Sequence, residues 1–392
     1  MKKVIYYSKK EIWPILMIAF MMSFITACSN DDNPAPESKT TDLSSILKQY
    51  VNNTVINTYH NLADASIDLE TACINLQKDK SDAQVKAADA AWIKARKFWE
   101  QSEAFLYGPA TIRGIDPHID SWPLDKQNLD DLLASESIMS KFDANYATNN
   151  LTSGLLGFHA LEYVIFSEGG ARSASTITDN ELKFAVGVAG DLKLQCIILE
   201  AAWAGHDKVT SAKQKILDDA EVSFDIVWGD NIIHAGEAGS TFKTQKDAIV
   251  EILQGEKGCR GIANEVGNTK ITDPVNSGNV LDVESWYSWN SKEDFQDNIR
   301  GIENSFLGGV SDSRDSKLSI YSYLYSLDPT LADKLKASVI STIGEDGKSG
   351  IGTLIYPFRN HLSKAETQTA IDACNNLVSI LDEASSLIQK QQ

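Results

Sequence analysis

The sequence predicts an all-α fold arranged as two helical-bundle domains. Three observations carry this. Apolar residues recur at steps of three and four through most of the 392 residues, alternating strand-like runs are lacking, and the nine prolines and most of the 24 glycines fall between the periodic stretches. Beyond a leader and a tether, about 350 residues remain, more than one core usually holds. A boundary is therefore expected near residues 235–243, giving bundles at 43–238 and 239–392.

Residues 1–27 read as an address. Lys2, Lys3, Lys9 and Lys10 precede an apolar segment, residues 13–25, too short to span as a mature helix, and the segment ends Ile25-Thr26-Ala27-Cys28. That ending is similar to a bacterial lipobox, in which Cys28 is lipidated and becomes the new N-terminus, so a membrane partner through a lipid anchor is expected. Ser29, not Asp, follows the cysteine, so the expected location is the outer membrane of a Gram-negative envelope. Asp31-Asp32 resembles a surface-export tag, which leaves periplasmic and surface-exposed orientations both open. Residues 28–42, rich in Asp, Asn, Pro, Ser and Thr, read as a solvated tether.

The helices follow in order. Leu43, Ile46, Leu47 and Tyr50 open a stripe that runs to residue 76. Val85, Ala88, Trp92, Ala95, Trp99, Ser102 and Leu106 form the next. Residues 107–126 carry Gly108, Pro109, Gly114, Pro117 and Pro123 and cannot be one helix. Further helices are expected at 151–166, 179–203, 209–228, 244–266, 291–306, 317–325, 328–343 and 364–388, with irregular stretches at 229–240 and 267–289. Ser291-Lys-Glu-Asp294 reads as a capping box with Asp in place of Glu. The segments Glu103–Gly108 and Glu303–Gly308 both end a helix with an aromatic and a glycine downstream of paired tryptophans, which raises an internal duplication.

A formal net charge of −18, made three charges more negative when residues 1–27 with their four lysines and one glutamate are removed, argues against nucleic acid as a partner. Cys73, Cys196, Cys259 and Cys374 are scattered, with no Cys-x-x-Cys; one disulfide, or small buried apolar residues, are the open readings.

The chemistry concentrates in Gly157-Phe-His159-Ala-Leu-Glu162. His159 and Glu162 stand three apart on a helix, sharing a face with Leu151, Leu155 and Phe166, so two ionisable groups occupy core positions. Such burial requires compensation by each other, a network or a metal. An isolated His-x-x-Glu is more often a satisfied core pair. The apolar context, the paired Gly154 and Gly157, and polar segments upstream weigh toward a site. In Trp99-Glu100-Gln101-Ser102-Glu103, Glu103 lies about 60° from the stripe centre and Glu100 about 120°, at about 100° per residue, so Glu103 reaches the interior and Glu100 flanks it. Glu-x-x-Glu facing His-x-x-Glu is how four-helix proteins assemble carboxylate-rich metal sites. Asp116, His118 and Asp120 alternate in the loop before Trp122. Asn264-Glu265 and Glu284-Ser285 are polar clusters in apolar surroundings. A zincin's His-Glu-x-x-His, a Gly-x-Ser-x-Gly elbow, a P-loop and a dinucleotide fingerprint are absent from the sequence.

Together these residues resemble the imelysin family. The likeness rests on Ala91-Trp92, Glu100-Gln-Ser-Glu103-Ala-Phe105, Asp116 with Ile119-Asp-Ser-Trp122-Pro123, and Gly157-x-His159-x-x-Glu162. In the second half it rests on Gly261-Ile-Ala-Asn-Glu-Val-Gly267, Glu284-Ser-Trp-Tyr-Ser288 and Ile302-Glu-Asn304. The resemblance implies two helical bundles with a site near their interface around His159 and Glu162, and an association with iron uptake and its proteins. The family name also carries a peptidase activity for which this sequence supplies no complete motif. The leading expectation is an envelope protein that holds a metal ion, iron or zinc, or a metal-bearing ligand. His159, Glu162 and Glu103 are the expected metal-holding residues. Glu100, Asp116, Asp120, Trp122, Asn264, Glu265, Glu284 and Ser285 are further ligand-binding candidates. A non-catalytic interaction module ranks second and an unconventional metallopeptidase third.

Overall fold

In the computed structural model, which describes residues 42–391, the chain is all α-helical apart from a two-residue antiparallel hairpin pairing Phe166–Ser167 with Gly170–Ala171. The expected leader, Cys28 and all of the tether but Asp42 lie outside the described residues. No helix among the described residues is long and apolar enough to cross a membrane.

Helix α1 (Leu43–Tyr50) starts at Asp42, whose carboxylate accepts from the Ser45 N–H, and passes through a π-helical stretch, Val51–Ile56, into α2 (Asn57–Lys78). Helix α3 (Asp82–Ser102) is capped by Ser81 and tightens into a 3-10 turn, Glu103–Phe105. The Pro/Gly-rich stretch that follows holds α4 (Ile115–Ile119). Helix α5 (Gly157–Ile165) carries the His-x-x-Glu pair, and α6 (Asp179–Ala204) begins with a capping box between Thr178 and Glu181. In the second half α7 (Gln245–Gln254) precedes α8 (Cys259–Glu265), which runs into a second π-helical stretch, Val266–Ile271, and then Thr272–Ser277. Helices α9 (Ser291–Leu307), α10 (Pro329–Ile343) and α11 (Lys364–Gln389) complete the chain.

The stripes pack as their spacing requires. Helix α2 lies against α3 and α6, burying Tyr59, Trp92, Trp99 and Trp203, and α10 pairs with α11. Helix α3 from the first half crosses α9 from the second at Gly301, where a β-carbon would lie 2.4 Å from the Gln101 carbonyl oxygen. Nearby, Thr54 Oγ1 donates to the Asn304 carbonyl (3.1 Å) and the Val310 N–H to that of Asn53 (2.9 Å). From Asp42 onward the contacts group into one compact unit.

Several expected boundaries move. The helix expected at 151–166 begins only at Gly157, after a 3-10 turn at Ser153–Leu155, so Leu151 and Leu155 do not share its stripe. The helix expected at 209–228 stops at Asp219, and 229–240 contains the end of a short helix, Trp228–Ile233. Residues 267–289, expected to be irregular, open with the π-helical stretch and a short helix. Helix α9 does start at Ser291, but without the capping box: Ser291 Oγ donates to the Glu284 carbonyl, and the Asp294 carboxylate accepts from Ser285 and from Asn290 Nδ2. All four described cysteines are free and buried, and burial pushes each thiol up to about 12.

Candidate functional site

Gly157, the first residue of α5, has φ +70°, and a β-carbon there would sit 1.9 Å from the Ile119 carbonyl oxygen. Its bare backbone lets the end of α4 press against the start of α5. Asp120, the next residue, is thereby delivered to His159. Trp122 follows, with its ring centroid 4.7 Å from that of the imidazole.

The imidazole is fully buried and held from one side. Its Nδ1 lies 3.1 Å from Glu162 Oε2, while Glu162 Oε1 accepts from the backbone N–H groups of Tyr287 (3.0 Å) and Ser288 (2.8 Å) and from the Ser288 hydroxyl (2.8 Å). With three donors on its other oxygen, Glu162 presents Oε2 to the ring as an acceptor, which calls for a proton on Nδ1. That leaves Nε2 facing inward. It lies 3.0 Å from Asp120 Oδ1 and 3.9 Å from Glu284 Oε1, yet makes no aligned hydrogen bond.

Behind this face sits Arg96, with no exposed surface. Its guanidinium contacts Glu100, Asp120 and Glu284 (2.6 Å to the last), and its Nε is 3.7 Å from Asp294. Trp99 Nε1 donates to the other oxygen of Asp120 (2.6 Å). Lys270, projecting from the second π-helical stretch, places Nζ 2.9 Å from Glu284 Oε2, 3.1 Å from Glu103 Oε2 and 3.8 Å from Glu100 Oε2. From α9, Asn298 Nδ2 donates to Glu100 Oε2 (2.6 Å) and Glu103 Oε2 (3.0 Å).

Two sets of donor atoms converge within 4.8 Å, Asp120 with His159 and Glu284, and Glu100 with Glu103 and Asp120, sharing Asp120. Of these residues Glu103, Asp120 and Glu284 line a cleft of about 340 Å³, with His159 and Glu100 buried behind them and Glu265, Asp273 and Asp282 on its lip. Glu265 and Thr269 also line an adjoining cleft of about 590 Å³.

The electrostatics follow from too many carboxyls for two fixed cations. Burial raises Glu100 and Glu103 well above the usual carboxyl range despite the neighbouring Arg96 and Lys270, and raises Asp294 to about 7. Asp120 and Glu284 go the other way. Burial opposes their ionisation too, but Arg96 overcomes it at Asp120, with help from His159, and Lys270 and Arg96 overcome it at Glu284. At His159 burial disfavours the imidazolium, yet Asp120 and Glu162 more than offset this, and the ring is raised to about 9.

A single buried imidazole thus stands oriented by Glu162 and beside Asp120 and Glu284. The imelysin family model matches residues 55–384. The chain belongs to the imelysin family. The iron-regulated protein A of Synechococcus elongatus is 28% identical over 289 residues, 74% of this chain and 71% of that protein. A crystal structure from Parabacteroides distasonis, provisionally described as an iron-regulated protein A precursor, superposes with a TM-score of 0.75 at 30% identity, covering 88% of this chain and 95% of the other. An imelysin-like protein from Psychrobacter arcticus shares the fold at 13% identity, with a TM-score of 0.55 over 89% of this chain and 93% of that one.

The structure brings together His159, Glu162, Glu100, Glu103, Asp120, Trp122 and Glu284. Glu100, expected at the flank, is fully buried beside Arg96. Glu162, expected to hold metal, has Oε2 beside His159 Nδ1 and Oε1 on the 287–288 backbone. Ser285 is buried but turned to Asp294. Asp116 lines the cleft and pairs with Lys257 (3.1 Å), and burial raises its carboxyl. Glu265 is on the lip, whereas Asn264 faces only the adjoining cleft, accepting from Asn268. His118 pairs away from the cluster, with the buried Asp191 (2.8 Å), and fixes α4 to α6. Arg96, Lys270, Asp294 and Asn298 were not legible as site residues. Arg96 offered a signal, a charge four residues from both Trp92 and Glu100 on a buried stripe.

Proposed function

We propose that this protein binds a divalent metal ion, iron or zinc, at Asp120, His159 and Glu284, in the service of iron uptake at the cell envelope. The observation that carries the reading is the inward-facing Nε2 of His159, buried, oriented through Nδ1 by Glu162, and beside two ionised carboxylates without an aligned partner. A histidine whose other nitrogen is fixed by a carboxylate is how metal sites set a ligating imidazole. Donors of one nitrogen and several hard oxygens suit iron and zinc. A bound ion would supply positive charge where carboxyls outnumber cations; Glu103 and Glu100 would remain close enough to share in holding it. The iron side of the choice is supported by the names of the Synechococcus and Parabacteroides relatives. Lipidation at Cys28 would anchor the protein to the outer membrane, facing either side.

Isothermal titration of the metal-free protein with Fe²⁺ (anaerobically) and Zn²⁺, against His159→Gln, tests the site. The wild type should take up one ion, and the variant, which loses a ligand itself, should bind more weakly by at least the roughly 10–100-fold that loss of an outer-shell contact costs. Equal affinity in the two proteins would remove His159 from the centre.

A further inference from the structure

Lys270 is the one cation of the cluster with a way out. Arg96 is enclosed on α3 by Glu100, Asp120, Glu284 and Asp294, whereas Lys270 lines the cleft. Its ammonium lies within 3.1 Å of both Glu103 and Glu284. Both residues belong to the two converging donor sets, and the ammonium also lies 3.1 Å from Glu284 Oε1, the oxygen 3.9 Å from His159 Nε2, so the lysine and an incoming cation would compete there.

We infer that the Lys270 ammonium is a built-in competitor for this site, which a bound metal ion must push off Glu103 and Glu284 and into the cleft. The inference rests on the metal-binding reading above and deepens it. Three features argue for exchange rather than coexistence. An ammonium and a divalent ion sharing one carboxylate pair in a low-dielectric pocket repel strongly. The side chain springs from the π-helical stretch Val266–Ile271 between exposed Thr269 and buried Ile271, a departure from α-helical geometry of the kind found at functional sites. And the lip offers the expelled ammonium new partners, Glu265, Asp273 and Asp282, all lining the same cleft. Exchange also confers selectivity. A monovalent ion gains nothing over the charge it replaces, while a divalent ion brings twice that charge to the same oxygens.

Two measurements on the described protein test this. In the wild type, lysine acylation by acetic anhydride, read by mass spectrometry, should find Lys270 protected in chelator and modified once Zn²⁺ saturates the site; saturating Na⁺ or K⁺ should leave it protected. In parallel, Lys270→Met should bind Zn²⁺ about tenfold or more tightly than the wild type, a change of about 1.4 kcal/mol. Unchanged Lys270 labelling at proven saturation, or a variant that binds no tighter, overturns the inference while leaving the metal site standing. Failure of both proteins to bind Zn²⁺ or Fe²⁺ overturns the metal reading, and this inference with it. Should Lys270→Met not fold, the wild-type labelling decides alone.

Discussion

The two nitrogens of His159 have different neighbours, and that asymmetry sets what the residue can do. Nδ1 is committed to Glu162, and Nε2 is left to take either a proton or a metal. In chelator the proton wins, because Asp120 and Glu162 outweigh burial and raise the ring to about 9. The sign is fixed by linkage. A histidine whose folded value lies above its ordinary 6.5 contributes stability fully present below about 6.5 and lost as pH rises through about 9. Urea titrations in chelator should therefore show stability falling across that window, by an amount on the order of 3 kcal/mol. His159→Gln should flatten the slope, and an unchanged slope in that variant would assign it to another group. Asp294, raised to about 7, acts with the same sign at lower pH, its contribution fading from about 4 to 7. The His159/Glu162 pair and Glu103 were legible because helical spacing alone puts them on buried faces. Arg96 was readable in principle, as a charge beside Ala95 on an apolar stripe. The Tyr287 and Ser288 N–H groups were not, since backbone donors leave no mark in residue identity.

At the scale of elements, the site depends on two close backbone approaches, α4 against α5 at Gly157 and α3 against α9 at Gly301. The second holds Asn298 over Glu100 and Glu103. Gly301→Ala places a methyl group 2.4 Å from the Gln101 carbonyl oxygen, so the crossing must widen. The expected cost is about 1–3 kcal/mol of stability, read by urea unfolding, with a weaker hold on metal as the carboxylates lose Asn298. Full stability would mean that the two backbones part at no cost. Periodicity made α2, α3, α6, α9, α10 and α11 readable, because long amphipathic stripes admit no other period. It failed at Lys270, where a π-helical stretch shifts side chains off the 3.6-residue register, and residues 267–289 therefore read as irregular. It also overextended α5, since an apolar run cannot itself reveal that its first part is a 3-10 turn.

For the whole molecule, the decisive fact is that the buried charges join both halves. Arg96, Glu100, Glu103, Asp120 and His159 come from the first, and Lys270, Glu284 and Asp294, joined by the neutral amide of Asn298, from the second. Pulling the halves apart would strand ions in partly apolar surfaces, a costly state. Calorimetry should accordingly show one cooperative transition for residues 42–391, moving upward as a whole when metal is added. Two resolved transitions, with metal shifting one alone, would make the halves independent. That joining also bears on how such a protein can change over generations. A chimaera built from this first half and a distant cousin's second half could wind every helix correctly and still let the imidazole swing. Its grip comes through Glu162 from two main-chain amides and the Ser288 hydroxyl in the loop before α9, so the shape of that loop together with its serine is what an exchange would have to preserve.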